Sequence, residues 1–185
     1  MDEYIDIVDN KGNPTGRTAL KSEAHKNGWY HNTIHLWLYT KKGEILLQQR
    51  SRKKAIFPLL WDVSVAGHID AKETIEQAAL REAEEEIGIK LKSDHLEKIG
   101  VELHKSEYNN GKIKDYEFHN VYISELKVAL RDLIPQPEEV EDLKLVSFAE
   151  FESLLKNSTT NSHFVSTNKS YYQFILNAIK KKLNK

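Results

Sequence analysis

Apolar and polar residues alternate along several short segments of the chain, a pattern typical of strands that bury one face. This alternation predicts strands over residues 4–8, 33–39, 44–48, 61–69, 96–104, 113–123 and 143–148. The segments 40–43 and 108–111 contain turn-forming glycine or asparagine, and each lies between two predicted strands. Two hairpins are therefore predicted at these turns.

Helical patterns occupy four other segments. Residues 20–25 predict one or two helical turns, 148–155 predict a helix capped by Ser147, and 167–183 predict a final helix after a polar loop over 156–163. The best-defined helix begins after Thr74, which stands in capping-box spacing to Gln77, and it ends near Gly88. Strands mixed with helices predict an α/β or α+β sandwich with a mixed sheet, and 185 residues predict one domain over residues 1–185.

Acidic and basic residues nearly balance, with 28 Asp and Glu against 27 Lys and Arg. This balance offers no global attraction for nucleic acid or for an acidic membrane surface, so neither is an expected partner. The chain has no cysteine, which excludes disulfides, thiolate metal sites and cysteine nucleophiles. The N-terminus lacks a signal-peptide pattern and no long apolar run occurs, so a cytoplasmic protein is expected. The sequence carries no indication of the oligomeric state.

The helix that follows Thr74 places acidic residues on its apolar side. At about 100° per residue, the apolar side is formed by Ile75, Ala78, Ala79, Ala83 and Ile87. Glu82 and Glu86 fall within this arc, and Glu85 lies at its edge. Buried carboxylates are costly unless a partner compensates them, and Mg²⁺ or Mn²⁺ suits oxygen ligands that share an ion with substrate phosphates. The alternative interpretation is a glutamate-rich helix whose acids are solvated.

A longer pattern surrounds these glutamates. Five residues separate Gly67 from Glu73, and seven more precede the segment 81–89, which reads Arg-Glu-Ala-Glu-Glu-Glu-Ile-Gly-Ile. Here the chain resembles the Nudix hydrolase family, whose motif is Gly, five residues, Glu, seven residues, then Arg-Glu-apolar-x-Glu-Glu-x-Gly-apolar. All nine specified positions match across 23 residues, after a predicted strand and on a capped helix, which makes the signal highly specific.

The resemblance implies an α/β/α sandwich that hydrolyses a diphosphate linkage in a nucleoside diphosphate derivative or another small organic diphosphate. The metal ligands that it implies are Glu82, Glu85 and Glu86. Glu73 and Arg81 would form an ion pair that supports the site, and Gly67 would let the backbone approach the metal. Which carboxylate acts as the general base stays open.

Residues outside this motif resemble a particular Nudix branch, the isopentenyl diphosphate isomerases, from Gly12 to about Tyr122. The metal-binding histidines of that branch match His25, His31 and His68, and its acidic pair matches Asp115 and Glu117. The resemblance thus implies that Asp115 and Glu117 are metal ligands together with the histidines. Glu117 would serve as both ligand and catalytic acid. The diphosphate-binding bases of the branch match Lys21, Arg50 and Lys54. Imidazoles with carboxylates imply a second metal site that suits Mn²⁺ or Zn²⁺.

The chain departs from the isomerases at the position before Gly67. These enzymes need a cysteine there to move a proton on the substrate carbon, whereas this chain has Ala66. Alanine has no titratable group, so the isomerase proton transfer lacks one of its two partners. The favoured hypothesis is therefore hydrolysis on an isomerase-like scaffold. Isomerisation with another donor such as Tyr116, and a non-catalytic sensor of a phosphorylated ligand, are the alternatives.

Overall fold

The computed structural model describes residues 2–158, 160 and 169–184. The strands within these residues are β1 (Tyr4–Val8), β2 (Pro14–Leu20), β3 (His31–Tyr39), β4 (Glu44–Arg50), β5 (Trp61–Asp62), β6 (Val65–His68), β7 (Glu97–Tyr108), β8 (Ile113–Glu125) and β9 (Val140–Ser147). The α-helices are α1 (Lys21–Asn27), α2 (Ile75–Ile87), α3 (Phe148–Lys156) and α4 (Lys169–Leu183). In the described part of the chain, no helix is both long and apolar enough to cross a membrane.

Strand β3 lies at the centre of a mixed sheet. It pairs in parallel with β8 along its whole length and antiparallel with β1, β4 and β6. The outer strands extend the sheet, because β2 pairs with β1, β7 with β8, and β5 and β9 with β4. The predicted mixed sheet is confirmed, and both predicted hairpins, β3–β4 and β7–β8, are present.

Helices cover both faces of the sheet. Side chains alternate between the faces of a strand, so Ile34 and Leu36 of β3 pack against α2, while Trp37 and Tyr39 pack against α3 and α4. Each face therefore has its own apolar core. This arrangement confirms the predicted α/β/α sandwich. Trp37 and Trp61 are both buried in the core under α3 and α4.

Helix α2 begins and ends as predicted. The side chain of Thr74 accepts a hydrogen bond from the backbone of Gln77, and the Gln77 side chain accepts one from the Thr74 backbone in return. Gly88 closes the helix with φ of 71°, a left-handed conformation that glycine adopts without strain. These two signals fix the position of α2 along the chain.

Several predicted boundaries differ from the structure. Residues 61–69 do not form one strand but two, because the chain leaves β4 after Asp62 and joins β3 at Val65. Between the two strands, the Ser64 hydroxyl accepts a hydrogen bond from Leu38 N at 2.9 Å and donates one to Leu46 O at 2.6 Å. Strand β2 was not predicted, and β7 and β8 are longer than expected. The predicted loop over 156–163 and the start of the final helix at 167–168 lie mostly outside the described residues.

Replacing Ser64 by alanine should destabilise the fold, because the buried backbone groups of Leu38 and Leu46 would both lose a partner. We expect the free energy of unfolding to fall by about 1–3 kcal/mol in urea denaturation. Ser153→Ala, at an exposed position of α3, is the control and should change it by less than about 0.5 kcal/mol. Equal effects of the two substitutions would contradict this role of Ser64.

Candidate active site

Two glutamates of α2 turn toward the sheet. Glu86 is only 4% exposed, and its Oε2 accepts hydrogen bonds from Gln48 Nε2 at 3.0 Å and Ala66 N at 3.2 Å. The side chain of Glu82 is 13% exposed, whereas that of Glu85 is 53% exposed. The helix therefore carries two acids inward and a third at the border with solvent, as its apolar pattern predicts.

Strand β6 runs unusually close to these acids at Gly67. A Cβ atom built at this position would overlap the carboxyl group of Glu82, so any side chain larger than hydrogen would displace the glutamate. Gly67 does not have a positive φ, so backbone conformation does not require a glycine here. The lack of space beside Glu82 does. The structure thus places Gly67 against a predicted metal ligand.

Arg81 connects the glutamates of the motif. Its guanidinium donates to both carboxylate oxygens of Glu73, at 3.0 and 2.9 Å. It also donates to Glu82 at 2.8 Å, to Glu85 at 3.0 Å and to the backbone oxygen of His68 at 2.9 Å. Bidentate pairing of this kind fixes the orientation of the guanidinium. Arg81 therefore holds α2 and the end of β6 in register.

Burial shifts the protonation of the inward acids. It raises the pKa of Glu82 to about 7, against the opposing effect of Arg81. It raises the pKa of Glu86 to about 8, and the charge of Glu82 adds to this shift. Both shifts reflect carboxylates without a sufficient cationic partner, which is the condition that a divalent ion relieves.

A second group of metal-ligating side chains lies on the neighbouring strands. His25 on α1, His31 on β3, His68 on β6 and Glu117 on β8 each offer one ligand atom, and these atoms all lie within 4.8 Å of one another. The register of the sheet produces this meeting, because His31 pairs with Glu117 and Thr33 pairs with His68. Four elements that are distant in sequence thus contribute one ligand atom each.

Residues outside the cluster orient two of its imidazole rings. Nδ1 of His31 lies 2.9 Å from the Trp29 backbone oxygen, and Nδ1 of His25 lies 2.9 Å from Oδ1 of Asp115. Such contacts direct Nε2 of each ring at the cluster. The buried Nε2 of His31 has no hydrogen-bond partner among the described residues. The donor set and this unpaired nitrogen fit a metal ion such as Mn²⁺ or Zn²⁺.

Asp115 lies behind His25 and is not among the four ligands that meet. Although Asp115 and Glu117 are only two residues apart on β8, Glu117 faces the other histidines, at 3.5 Å from His31 Nε2 and 3.6 Å from His68 Nε2. Burial opposes the ionisation of Glu117, but these two histidines outweigh it and hold its pKa well below the usual value. Glu117 therefore stays a carboxylate, which is the form that binds a metal.

One cleft of about 410 Å³ joins the inward glutamates of α2 to the cluster of His25, His31, His68 and Glu117. It is lined by Gly67, His25, His68, Glu82, Glu86 and Glu117, together with the three predicted phosphate-binding bases, Lys21, Arg50 and Lys54. Seven carboxylates against three bases line it among the described residues, so an anionic ligand would be repelled unless cations were also present. Glu73 and Arg81 are not in its lining and support it from behind. Glu85 also lies outside the lining, at the border with solvent.

Each of the three bases already has an acidic neighbour. Lys21 pairs with Glu3, Lys54 pairs with Glu139, and Arg50 lies 3.7 Å from Asp62. The sequence did not indicate these acids, since Lys54 and Glu139 are 85 residues apart and no local spacing relates them.

His35 also lines the cleft and was not predicted. The alternation of side chains along β3 could have identified His35, because it places His35 on the same face of the sheet as His31. Tyr116, the predicted alternative proton donor, does not line the cleft, and its hydroxyl donates to Glu107 at 2.7 Å.

Comparison with known proteins agrees with this geometry. A model of the NUDIX domain family matches residues 29–167. Nudix hydrolase 3 of Arabidopsis thaliana is 38% identical over 157 residues, but the chain spans only 20% of that protein's length. These residues are 83% of this chain. Isopentenyl-diphosphate Delta-isomerase 2 of Photorhabdus laumondii is 31% identical over 85% of this chain and 85% of its own length.

Among solved structures, DR0079 from Deinococcus radiodurans shares the fold. It aligns with a TM-score of 0.65 at 22% identity, over 88% of this chain and 92% of its own. The family match covers most of the chain, and relatives with both hydrolase and isomerase names align along it. The chain therefore belongs to the Nudix superfamily, in its isopentenyl diphosphate isomerase-like branch.

Proposed function

We propose that this protein is a Nudix pyrophosphohydrolase that uses Mg²⁺ or Mn²⁺ to cleave the diphosphate linkage of a small organic substrate. Metal-dependent hydrolysis of diphosphates is the general activity of the family that the chain belongs to. The observation that carries the proposal is the single cleft in which inward acids, a histidine cluster and three bases meet. The acids and the bases depend on each other, because the acids would bind cations but repel the phosphates that the bases attract.

Different residues of the cleft would bind the metal ions, bind the phosphates and accept the proton. When bound, divalent ions neutralise phosphate oxygens and lower the pKa of a coordinated water. Glu82, Glu85 and Glu86 would hold such ions through oxygen, which suits Mg²⁺ or Mn²⁺. Arg50 and the two lysines would exchange their acidic neighbours for substrate phosphates, with Arg50 able to bind in bidentate fashion. A carboxylate of this group would accept the proton of the attacking water.

The histidine cluster would hold a second ion, Mn²⁺ or Zn²⁺, with His25, His31, His68 and Glu117 as ligands. Asp115 would act from behind His25, by fixing the ring so that Nε2 faces the ion. This assignment replaces the role of direct ligand that the isomerase resemblance implied for Asp115.

Isomerase chemistry is less well supported by the cleft. Ala66 lines it where the isomerases carry a cysteine, and Tyr116 directs its hydroxyl to Glu107. Hydrolysis needs no proton donor at that position. Incubation with isopentenyl diphosphate in deuterated water separates the two reactions, because deuterium on carbon without phosphate release would support isomerisation.

Replacing Glu85 or Glu86 by glutamine should abolish metal-dependent turnover while the fold persists. Glutamine keeps the size but loses the charge that binds a cation, so we expect kcat/KM to fall by more than about a hundredfold. The measurement is chromatography of the phosphomonoester and phosphate products from a panel of nucleotide, nucleotide-sugar and isoprenoid diphosphates, with Mg²⁺, with Mn²⁺ and with chelator.

Glu84→Gln is the matched control on the same helix. Glu84 is exposed and pairs with Lys90 at 3.0 Å, so its substitution should leave turnover within about twofold of the unaltered protein. Undiminished activity of Glu86→Gln, or activity that survives removal of divalent ions, would refute the proposed function.

The ion-free protein should lose stability as pH rises. Because folding raises the pKa of Glu82 to about 7 and of Glu86 to about 8, the folded state retains protons that the unfolded state releases from about pH 4.5 upward. The stability linked to these groups is therefore present at low pH and is lost up to about pH 8. Melting temperatures measured with chelator and with Mg²⁺ should diverge with increasing pH.

Glu86→Gln provides the internal check on this pH dependence. It removes one of the two shifted groups, so the decline with chelator should become shallower and the gain from Mg²⁺ smaller than in the unaltered protein. Parallel curves for the two proteins would show that Glu86 is not the group responsible.

His31→Gln should remove tight Mn²⁺ or Zn²⁺ binding at the second site, since the buried Nε2 would be lost as a ligand. Asp115→Asn should weaken the same binding by about 10- to 100-fold, because it disturbs only the orientation of His25. Titration calorimetry with the metal alone measures both effects. His95→Gln, on a surface turn, is the control, and equal losses in all three variants would contradict the site.

A further inference from the structure

Arg50, one of the three bases of the cleft, is anchored by the backbone. Its Nε donates a hydrogen bond to the backbone oxygen of Ile56 at 3.1 Å, and both residues line the cleft. Asp62 lines the cleft as well, and its Oδ2 lies 3.7 Å from Nη1 of Arg50. This distance is too long for a hydrogen bond. The carboxylate of Asp62 therefore neighbours the guanidinium without binding it directly.

A second arginine of the same protein shows a direct pair for comparison. Arg81 donates to both carboxylate oxygens of Glu73, at 3.0 and 2.9 Å. The two pairs are equally sheltered from solvent. The side chains of Arg81 and Glu73 are 27% and 15% exposed, and those of Arg50 and Asp62 are 25% and 16% exposed. Exposure to solvent therefore does not account for the longer distance between Arg50 and Asp62.

The carboxylate of Asp62 has a donor that Glu73 lacks. Each acid accepts one backbone N–H, since Val63 donates to Oδ1 of Asp62 at 2.8 Å and Asp70 donates to Glu73 at 3.1 Å. In addition, the Tyr172 hydroxyl donates to Oδ1 of Asp62 at 3.1 Å. Within the described ranges, no hydroxyl donates to Glu73. The contact with Tyr172 thus distinguishes the two acids.

Helix α4 carries Tyr172 to this place from the apolar core. Its ring is buried and meets that of Trp37 edge-on, with centroids 5.8 Å apart. The preceding residue, Tyr171, lines the same pocket, and its hydroxyl lies 2.7 Å from Nδ1 of His35. Close packing restricts the movement of a buried ring. The core therefore holds the Tyr172 hydroxyl in a fixed position beside Asp62.

From these contacts we infer that the Tyr172 hydroxyl keeps Asp62 from forming a direct ion pair with Arg50, so that the guanidinium stays available to a diphosphate. Tyr172 is then a positioning residue, which acts on phosphate binding through Asp62. The inference rests on the proposed function, because it takes Arg50 as a base that binds phosphate.

The availability of Arg50 affects affinity because one edge of a guanidinium binds either a carboxylate or a phosphate. Without the Tyr172 hydroxyl, Oδ1 of Asp62 would lose one of its two donors, and the carboxylate would turn toward Arg50. Hydrogen bonds between charged groups are stronger than neutral ones, and a diphosphate would have to break this one in order to bind. Loss of the hydroxyl should therefore weaken diphosphate binding by about tenfold.

Calorimetric titration with methylenediphosphonate in the presence of Mg²⁺ tests this expectation, since the P–C–P linkage of the probe resists hydrolysis. Tyr172→Phe keeps the packed ring and removes the hydroxyl, so the Kd of the probe should rise about tenfold. Tyr39→Phe is the matched control, because Tyr39 is buried in the same core and does not line the cleft. It should leave the Kd within about twofold of that of the unaltered protein.

Substitutions of Asp62 and Arg50 test the route of the effect. Asp62→Asn keeps an oxygen that accepts from Val63 and Tyr172 but removes the charge that attracts Arg50, so this variant should bind the probe at least as tightly as the unaltered protein. Adding Asp62→Asn to Tyr172→Phe should then restore the lost affinity. In an Arg50→Gln protein, Tyr172→Phe should have no further effect, because the base on which it acts is gone.

Two results would overturn the inference. One is a folded Tyr172→Phe protein that binds methylenediphosphonate as tightly as the unaltered protein does. The other is a loss of about tenfold in the Asp62→Asn protein, which would mean that the carboxylate holds Arg50 in its binding position. The second measurement does not depend on whether Tyr172→Phe folds.

Failure of the proposed function gives a different result. If the variants changed probe binding as expected but the unaltered protein hydrolysed no diphosphate with Mg²⁺ or Mn²⁺, hydrolysis would be refuted and the role of Tyr172 would stand. If the unaltered protein did not bind the probe at all, the assignment of Arg50 to phosphate would be refuted, and the inference with it.

Discussion

Helix α2 and strand β6 approach so closely at Gly67 that a side chain there would overlap the carboxyl group of Glu82. The same approach brings the backbone N–H of Ala66 to Glu86. Carboxylates can enter the interior of a sandwich only where the neighbouring strand leaves room and offers donors. Arg81 then secures the contact by bonding to acids of α2 and to the backbone of β6. The rest of the site depends on this contact, since it sets the distance between the helix and the sheet.

Strand β3 relates the site to the core. On one face it presents His31 to the metal-ligating cluster, His35 to the cleft, and Trp37 to the apolar core under α3 and α4. The chemistry of that face therefore changes along a single strand. Because Trp37 is buried and bonds to the Tyr171 hydroxyl, the packed core also orients a residue of the cleft.

Charge in the cleft is arranged as exchangeable pairs. The bases proposed to bind phosphate are paired with carboxylates, so they do not form a strong positive patch. Under the proposed function, a diphosphate that arrives with divalent ions would supply both the anion for the bases and the cations for the acids. Binding would then exchange one set of ion pairs for another.

The sequence by itself determined the features that depend on local spacing. Residues three and four apart share one side of a helix, so the inward placement of Glu82 and Glu86 followed from the pattern of α2, and alternation located most strands. Only the tertiary structure decided which distant residues meet. The break at Ser64, the acidic partners of the bases and the position of His35 opposite Ala66 all arise from strand register and chain crossings, which no local pattern encodes. Asp115 and Glu117 show the same limit. Both lie on β8, but α1 packs against this strand, so Asp115 contacts His25 Nδ1 while Glu117 faces the cluster.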